Sequence, residues 1–284
     1  MSQSVEIVEV GPRDGLQNEP ILLETKAKIS LINLLSKCGF KRIEIGSFVS
    51  SKWVPQMADS GLVFDGITRN HKVSYAALVP NIFGYSLARK HKVDEIAIFC
   101  SASESFSKSN LNASIQESFS RFREVMSLAK TDSLRVRGYV SCVTDCPYEG
   151  KINPVVVSKV ARQLSDLGCY EISLGETLGK GNPDQVEKML INVLDEIPVN
   201  KIAAHFHDTN GQALKNIGVA LDLGVRVFDS AVAGLGGCPF APGSPGNVAT
   251  ESLLKYVEGK GYETGLDIEQ VIKAANLARG ICNI

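Results

Sequence analysis

Two histidines stand one residue apart in the stretch 202-IAAHFHDTNG-211, at the end of an apolar run. The chain has only four histidines in 284 residues, so half of its imidazole sits in one tripeptide. Residues two apart in an extended strand project to the same side, so His205 and His207 point together with Phe206 opposite. Such a pair in an otherwise apolar segment most simply holds a divalent metal ion; two hydrogen-bonded core histidines are the alternative.

A metal needs more ligands than two imidazoles. Asp14, in 11-GPRDGLQNE-19, is an acidic residue at the end of an apolar extended run and is the obvious supplier. Imidazole and hard oxygen donors together suit magnesium, manganese or a cobalt-like ion better than a closed, thiolate-rich zinc site. The adjacent Arg13 then has a separate use, because a permanently charged planar guanidinium is well suited to a substrate oxyanion. A surface ion-paired turn is the plainer reading of Arg13 and Asp14. Glu44 is the single acid in its apolar run 42-RIEIGSF-48, and a buried carboxylate requires a cation, for which Arg13 is the nearest candidate. The segment 234-GLGGCPFAPGSPGN-247 holds five glycines and three prolines in fourteen residues. That density permits a lid with special backbone angles, and its Cys238 is the thiol placed where a substrate would meet it. Asn247, where this segment enters a helical pattern, reads as a helix N-cap, as an oxygen donor to the metal, or as both.

These residues need a scaffold that brings sequence-distant strand ends together. Extended apolar runs at 5–10, 42–48, 73–79, 94–100, 135–141, 170–175, 202–207 and 226–232 alternate with helical patterns at 24–37, 57–67, 82–91, 115–130, 153–167, 183–196, 211–223 and 247–258. Near-continuous apolar strands are expected of a parallel sheet covered on both faces. Eight such alternations fit a (β/α)₈ TIM barrel, a fold that typically takes ~250 residues, with an extra C-terminal helix over 267–280. The whole of 1–284 reads as a single catalytic domain. A doubly wound open sheet is the competing fold, but no Gly-x-Gly-x-x-Gly turn follows the first strand. In a barrel the active site lies at the C-terminal strand ends, where Arg13, Asp14, Ser47, Ser173, Glu176, His205, His207 and the 234–247 segment all fall.

Composition narrows the function class. A net charge of −1 gives no electrostatic reason for a nucleic acid or membrane partner, and no apolar run approaches the ~18 to 20 residues of a membrane-spanning helix. The first residues, MSQSVEIVEV, run into a strand pattern with no targeting leader, so a cytoplasmic location is expected. Seven cysteines without regular spacing read mostly as buried thiols, and the Cys142 and Cys146 pair lacks a second pair nearby to complete a zinc site.

Together these residues resemble the 3-hydroxy-3-methylglutaryl-CoA lyases, metal-dependent barrels whose first strand ends in an Arg-Asp pair. The likeness is carried by 11-GPRDGLQNE-19, 47-SFVSSKWVPQM-57, 137-RGYVSCV-143, 146-CPYEGKI-152, 173-SLGET-177, 205-HFHDT-209 and 234-GLGGCPFAPGSPGNVATE-251. The resemblance implies cleavage of an acyl-CoA, 3-hydroxy-3-methylglutaryl-CoA, to acetyl-CoA and acetoacetate, as in leucine degradation and ketone-body formation. It implies Mg²⁺ or Mn²⁺ held by Asp14, His205, His207 and Asn247. It further implies that Arg13 stabilises the enolate, Glu44 orients Arg13, Cys238 takes part in proton transfer, and Gln17, Ser47, Asn110 and Ser173 line the acyl pocket, in a homodimer. Three positions depart from the family pattern: Glu176 replaces a usual Asp, Asn210 a usual Tyr and Pro20 a frequent Lys. Glu176, one methylene longer, is expected to turn toward the metal ligands or Arg13, while Asn210 and Pro20 bear on CoA contacts or acyl preference. A barrel aldolase for 4-hydroxy-2-oxo acids would share Arg13, Asp14 and the histidines without needing the Cys238 segment. A condensing synthase of the isopropylmalate type normally carries a long regulatory extension, whereas about 25 residues follow the last barrel helix here. A catalytically silent acyl-CoA or metal-binding protein is the remaining alternative.

Overall fold

The computed structural model describes residues 4–236 and 246–284. Eight parallel strands close into a barrel: β1 (Glu6–Glu9), β2 (Arg42–Ser47), β3 (Ser74–Leu78), β4 (Glu95–Ser101), β5 (Arg135–Ser141), β6 (Glu171–Glu176), β7 (Ile202–Phe206) and β8 (Val227–Ser230). Each strand neighbours its successor, and Glu9 opposite Ile43 and Glu6 opposite Val227 join the first strand to the second and the last. The expected TIM barrel is therefore present, and the last helix, Ile268–Cys282, packs outside it.

Local sequence sets the helix starts. Ser114 and Asn182 each form a capping box, with Glu117 and Gln185 respectively, and Asn81, Ser103, Asn153 and Asp267 accept backbone N–H bonds at other helix starts. The helix expected at 57–67 is shorter, Ser60–Gly66, because a 3₁₀ turn at Pro55–Met57 precedes it. Another helix, Glu104–Leu111, was not foreseen: only Phe106 and Ser107 on it are buried, so it carries almost no apolar periodicity. A small hairpin pairs Asp145–Cys146 with Gly150–Lys151 above β5.

Most of the apolar core lies between the barrel wall and the helices, while the interior is largely ionic. Near the strand starts, Arg42 pairs with Glu6 at 2.6 Å and with Glu171 at 2.7 Å. One level up, Arg137 meets Glu171 and Asp229, each at 2.7 Å. Buried charges are tolerated only when paired and hydrogen-bonded, and here each arginine has two carboxylates.

At the top of β1 the chain makes a π-type turn, Gly11–Gly15, that turns Arg13 and Asp14 over the barrel mouth. Glu9, wholly buried, holds this turn: one oxygen accepts the amides of Gly11 (2.8 Å) and Val232 (3.1 Å), and the other meets the Thr250 hydroxyl at 2.7 Å. A side chain at Gly11 would sit 2.5 Å from that carboxylate, which explains the glycine. No cation among the described residues faces Glu9, and burial pushes its pKa from 4.5 up to about 8.

A folded pKa above the unfolded one means that the native state holds the proton more tightly. Glu9 therefore makes stability fall as pH rises through the interval from 4.5 to about 8, by up to ~1.4 kcal/mol per pH unit. Glu9→Gln keeps both amide acceptances, and its NH₂ can donate to Thr250, so its stability should be flatter over this interval. Urea unfolding at a series of pH values should find the variant overtaking the parent near pH 8. A variant less stable than the parent there would mean that Glu9 is ionised in the fold.

Candidate active site and metal centre

The barrel brings the two ends of the sequence pattern together. His205, on β7, and His207, just past its end, rise from one strand on the same side, with ring centroids 5.4 Å apart. Asp14 arrives from the turn above β1. One donor atom each from Asp14, His205 and His207 lie within 4.8 Å of one another, the one metal-capable cluster among the described residues. Cys142 and Cys146 are buried free thiols beside Phe106 and form no part of it.

Asn247 joins this cluster from the far side. Its Nδ2 donates to Asp14 Oδ2 at 2.9 Å and to the Leu235 carbonyl at 3.0 Å, and its backbone bridges to His207. It is not a helix cap: the helix Thr250–Gly259 starts later, with Ala249 in the cap position and no side-chain bond there. Gly236 lies so close that a Cβ would stand 2.7 Å from Asn247 Nδ2, at a φ of +100°.

Three atoms or groups test whether a cation fits. His207 Nδ1 and Asn247 Oδ1 are buried without a hydrogen-bond partner among the described residues, an arrangement that costs free energy unless something else satisfies them. Burial, reinforced by His205, lowers the His207 pKa to about 4, which leaves the imidazole neutral and able to ligate at neutral pH. Burial pushes Asp14 up, but Arg13, the two histidines and Asn247 outweigh it and hold the carboxylate down at about 2. An anionic oxygen, imidazole nitrogens and an amide oxygen without a partner among the described residues, with no thiolate among them, fit a divalent cation of the magnesium or manganese type.

Arg13 lies beside this cluster with its own supports. Its Nε and Nη2 donate to Glu44 Oε2 at 2.8 and 2.6 Å, and its Nη1 to Asp14 Oδ1 at 2.6 Å. The partner expected for Glu44 is thus the one present. Burial favours the neutral guanidine, yet Glu44 and Asp14 hold Arg13 well above its ordinary pKa. A guanidinium has five N–H groups, so these bonds leave donors for a substrate oxygen.

Several residues in this assembly were not anticipated. Tyr139 on β5 gives its hydroxyl proton to Glu44 at 3.1 Å and accepts from Arg137 at 2.9 Å. Asp229 on β8 stands opposite His205 and meets its Nδ1 at 3.2 Å. The signal for Asp229 was an acid in the apolar run 226–232, of the same kind that singled out Glu44.

The expected pocket residues divide. Gln17 is half-buried and donates to Asp14 Oδ1 at 2.8 Å. Ser47 is buried at the end of β2 and bonds the Leu78 carbonyl at 3.4 Å, while Asn110 is exposed on the helix Glu104–Leu111. Ser173 is wholly buried and donates to Asp229 at 2.8 Å, close to His205. Glu176 departs from expectation. Its carboxylate is engaged by Thr144 at 3.0 Å and the Lys180 amide at 3.3 Å, not by Arg13 or a histidine. Its influence on the site runs through its backbone carbonyl, which accepts the His207 amide. Pro20 and Asn210 are exposed, and Cys238 lies outside the described residues.

The family model described as HMGL-like matches residues 4–278 of the chain. The cytoplasmic 3-hydroxy-3-methylglutaryl-CoA lyase of Danio rerio is 54% identical over 272 residues, which cover 96% of this chain and 81% of that one. The solved HMG-CoA lyase of Brucella melitensis superposes with a TM-score of 0.98 at 52% identity, covering 99% of each chain. An HMG-CoA lyase of Acinetobacter baumannii, solved in complex with coenzyme A and 3-methylmalate, gives 0.94 at 38% identity over 100% of this chain and 92% of that one.

If the cluster is a metal site, Asp14→Ala and His207→Ala should each lose bound Mn²⁺ on gel filtration while the parent keeps it, since removing one of about four ligands weakens a site of modest affinity outright. Elemental analysis of the eluted protein reads this directly, and stoichiometric metal in both variants would defeat the assignment.

Proposed function

The chain belongs to the HMGL-like family, and from that premise we propose that it is a divalent-metal-dependent carbon–carbon lyase cleaving 3-hydroxy-3-methylglutaryl-CoA to acetyl-CoA and acetoacetate. One observation carries the reading. The Arg13 guanidinium lies 2.6 Å from the same carboxylate that has a donor atom of each histidine within 4.8 Å, so an oxyanion site and a metal site adjoin at one barrel mouth. The identity to named lyases over nearly all of the chain supports the choice of reaction.

The chemistry requires loss of a proton from the tertiary hydroxyl, breakage of the C2–C3 bond, and protonation of the carbon left behind. Asp14, His205, His207 and Asn247 would hold Mg²⁺ or Mn²⁺, which when bound supplies Lewis acidity toward the hydroxyl and carboxylate oxygens of the substrate. Asp14 is the basic group at the mouth that can take the hydroxyl proton, with His205 beside it as a ligand to the ion. As the bond breaks, its electron pair moves into the thioester and gives the enolate of acetyl-CoA, whose oxygen Arg13 meets through its remaining N–H donors. Glu44, with Tyr139 behind it, keeps the guanidinium from turning away. Cys238 gives a proton to the enolate carbon, completing acetyl-CoA with no change of oxidation state. Gln17, Ser47, Asn110 and Ser173 remain the groups assigned to the acyl-CoA.

The same reading takes 1–284 as one catalytic domain, acting as a cytoplasmic homodimer. The zebrafish relative carries the cytoplasmic designation in its name, and no described helix is long and apolar enough to cross a membrane.

Turnover of 3-hydroxy-3-methylglutaryl-CoA with added Mg²⁺ or Mn²⁺ tests the proposal; cleavage of a 4-hydroxy-2-oxo acid instead would make the protein an aldolase, and metal binding without turnover of either would make it a binding protein. Arg13→Gln should lower kcat by at least ~10²-fold with a smaller change in KM, the scale for removal of an oxyanion partner. Cys238→Ser has a hydroxyl far too weakly acidic for the same transfer, so kcat should fall ~10²-fold or more with Mn²⁺ binding unchanged. Normal turnover in either variant removes the role given to that residue.

A further inference from the structure

Asp229 is the most heavily engaged carboxylate in the barrel. It is buried on β8, and Arg137 clamps it with two bonds, Nη2 to Oδ1 at 2.7 Å and Nη1 to Oδ2 at 3.0 Å. Its Oδ2 also accepts the Ser173 hydroxyl at 2.8 Å and faces His205 Nδ1 at 3.2 Å. Arg137 in turn is fixed by Glu171 through Nε at 2.7 Å and by the Tyr139 ring, 5.0 Å from the guanidinium carbon. Asp229 is therefore held on every side but one, and that side is His205.

The proton in the His205–Asp229 contact has one available position. Asp229 faces a bidentate guanidinium and a hydroxyl donor, partners that require acceptor oxygens, so the carboxylate supplies lone pairs and no proton. An imidazole nitrogen and a carboxylate oxygen form a hydrogen bond only if one carries hydrogen, so Nδ1 of His205 carries it. A neutral imidazole protonated at Nδ1 has its lone pair at Nε2. That nitrogen is the one turned toward Asp14, 3.7 Å from Oδ2.

We propose that Asp229 is a positioning residue that fixes His205 as the Nδ1–H tautomer and presents Nε2 to the divalent ion, with Arg137 and Ser173 holding the carboxylate in place. The assignment of Nε2 as a ligand rests on the metal-dependent reading above; the tautomer does not. The two histidines are thereby unequal. His205 is oriented by the protein before any ion arrives, while His207 Nδ1 has no partner among the described residues. A ligand whose orientation is set in advance loses less freedom on binding, so Asp229 should raise metal affinity without touching the metal.

The test begins with the parent protein, free of metal, at neutral pH. With only four histidines, long-range ¹H–¹⁵N correlation resolves the ring nitrogens, and His205 is identified by the signals missing from His205→Gln. A pyrrole-like Nδ1 and a pyridine-like Nε2 are expected; the reverse pattern overturns the inference with no variant at Asp229 required. Asp229→Asn, checked for an unchanged far-UV spectrum, should bind Mn²⁺ ~10 to 100-fold more weakly in an electron paramagnetic resonance titration. Should that variant fail to fold, Ser173→Ala leaves every charge in place and, by loosening Asp229, should weaken Mn²⁺ binding in the same direction by a smaller factor. Parent-like affinity in a folded Asp229→Asn, or in Ser173→Ala where it stands in, overturns the proposal. A parent protein that binds no Mn²⁺ would defeat the metal-site reading instead and leave the tautomer to be judged by its own signals.

Discussion

A charge removed from water must meet an opposite charge, and the interior of this barrel is organised around that requirement. Arg137 is the central member, because it bonds Glu171 below and Asp229 above. From Glu171 the pairing continues to Arg42 and Glu6 near the strand starts; Asp229 in turn meets His205, whose other ring nitrogen lies 3.7 Å from Asp14 at the mouth. Asp14 bonds Arg13, Arg13 bonds Glu44, and Tyr139 connects Glu44 back to Arg137. The chain of contacts is a closed ring on top of a ladder. Removing one partner from such a buried pair typically costs ~3–5 kcal/mol, because the other charge is left uncompensated, whereas the intact pair adds little net stability. What the network provides is geometry: the shared partners orient each side chain, with Glu44 Oε1 left without a hydrogen bond among the described residues.

That geometry allows two adjacent residues to perform different work. Arg13 and Asp14 leave the same turn, yet one is drawn down to Glu44 and the other across to the histidines. The turn is anchored below by Glu9, which also takes an amide from Val232 after β8 and the hydroxyl of Thr250. One buried carboxylate therefore sets the distance between the start of the barrel and its end, which is the distance across which Asp14 must reach His205.

The fold was legible because strand and helix periods differ and alternate eight times, and because parallel strands buried on both faces leave long apolar runs. The histidine pair was legible for the same reason, as a violation of that apolar background. Helix Glu104–Leu111 was hidden since it buries only two residues, and Asn247 was misread as a possible cap because the cap position is set by backbone angles two residues further on, at Ala249. Glu176 was misjudged on a different ground. One extra methylene was taken to lengthen its reach toward the ligands, but direction matters more than length, and its side chain leaves the site toward Thr144 and the Lys180 amide. Asp229 stood out only as an acid in an apolar run, and its bonds to Arg137 and His205, like that of Tyr139 to Glu44, join different strands whose facing a single sequence does not record.

The stretch after β8 leaves and re-enters the wall at nearly the same point. Leu235 accepts a bond from Asn247, Gly236 packs against it, and residues on either side of Asn247 bond back to β7 through Asp208 with Gly246 and Val248 with Phe206. The described residues on both sides of 237–245 are thus tied to one another and to β7. For a loop with fixed ends, doubling the length costs only ~0.6 kcal/mol in closure entropy. With its ends tied in this way, a change in the length of the segment bearing Cys238 would cost little closure entropy, and Asn247 would keep its place beside Asp14.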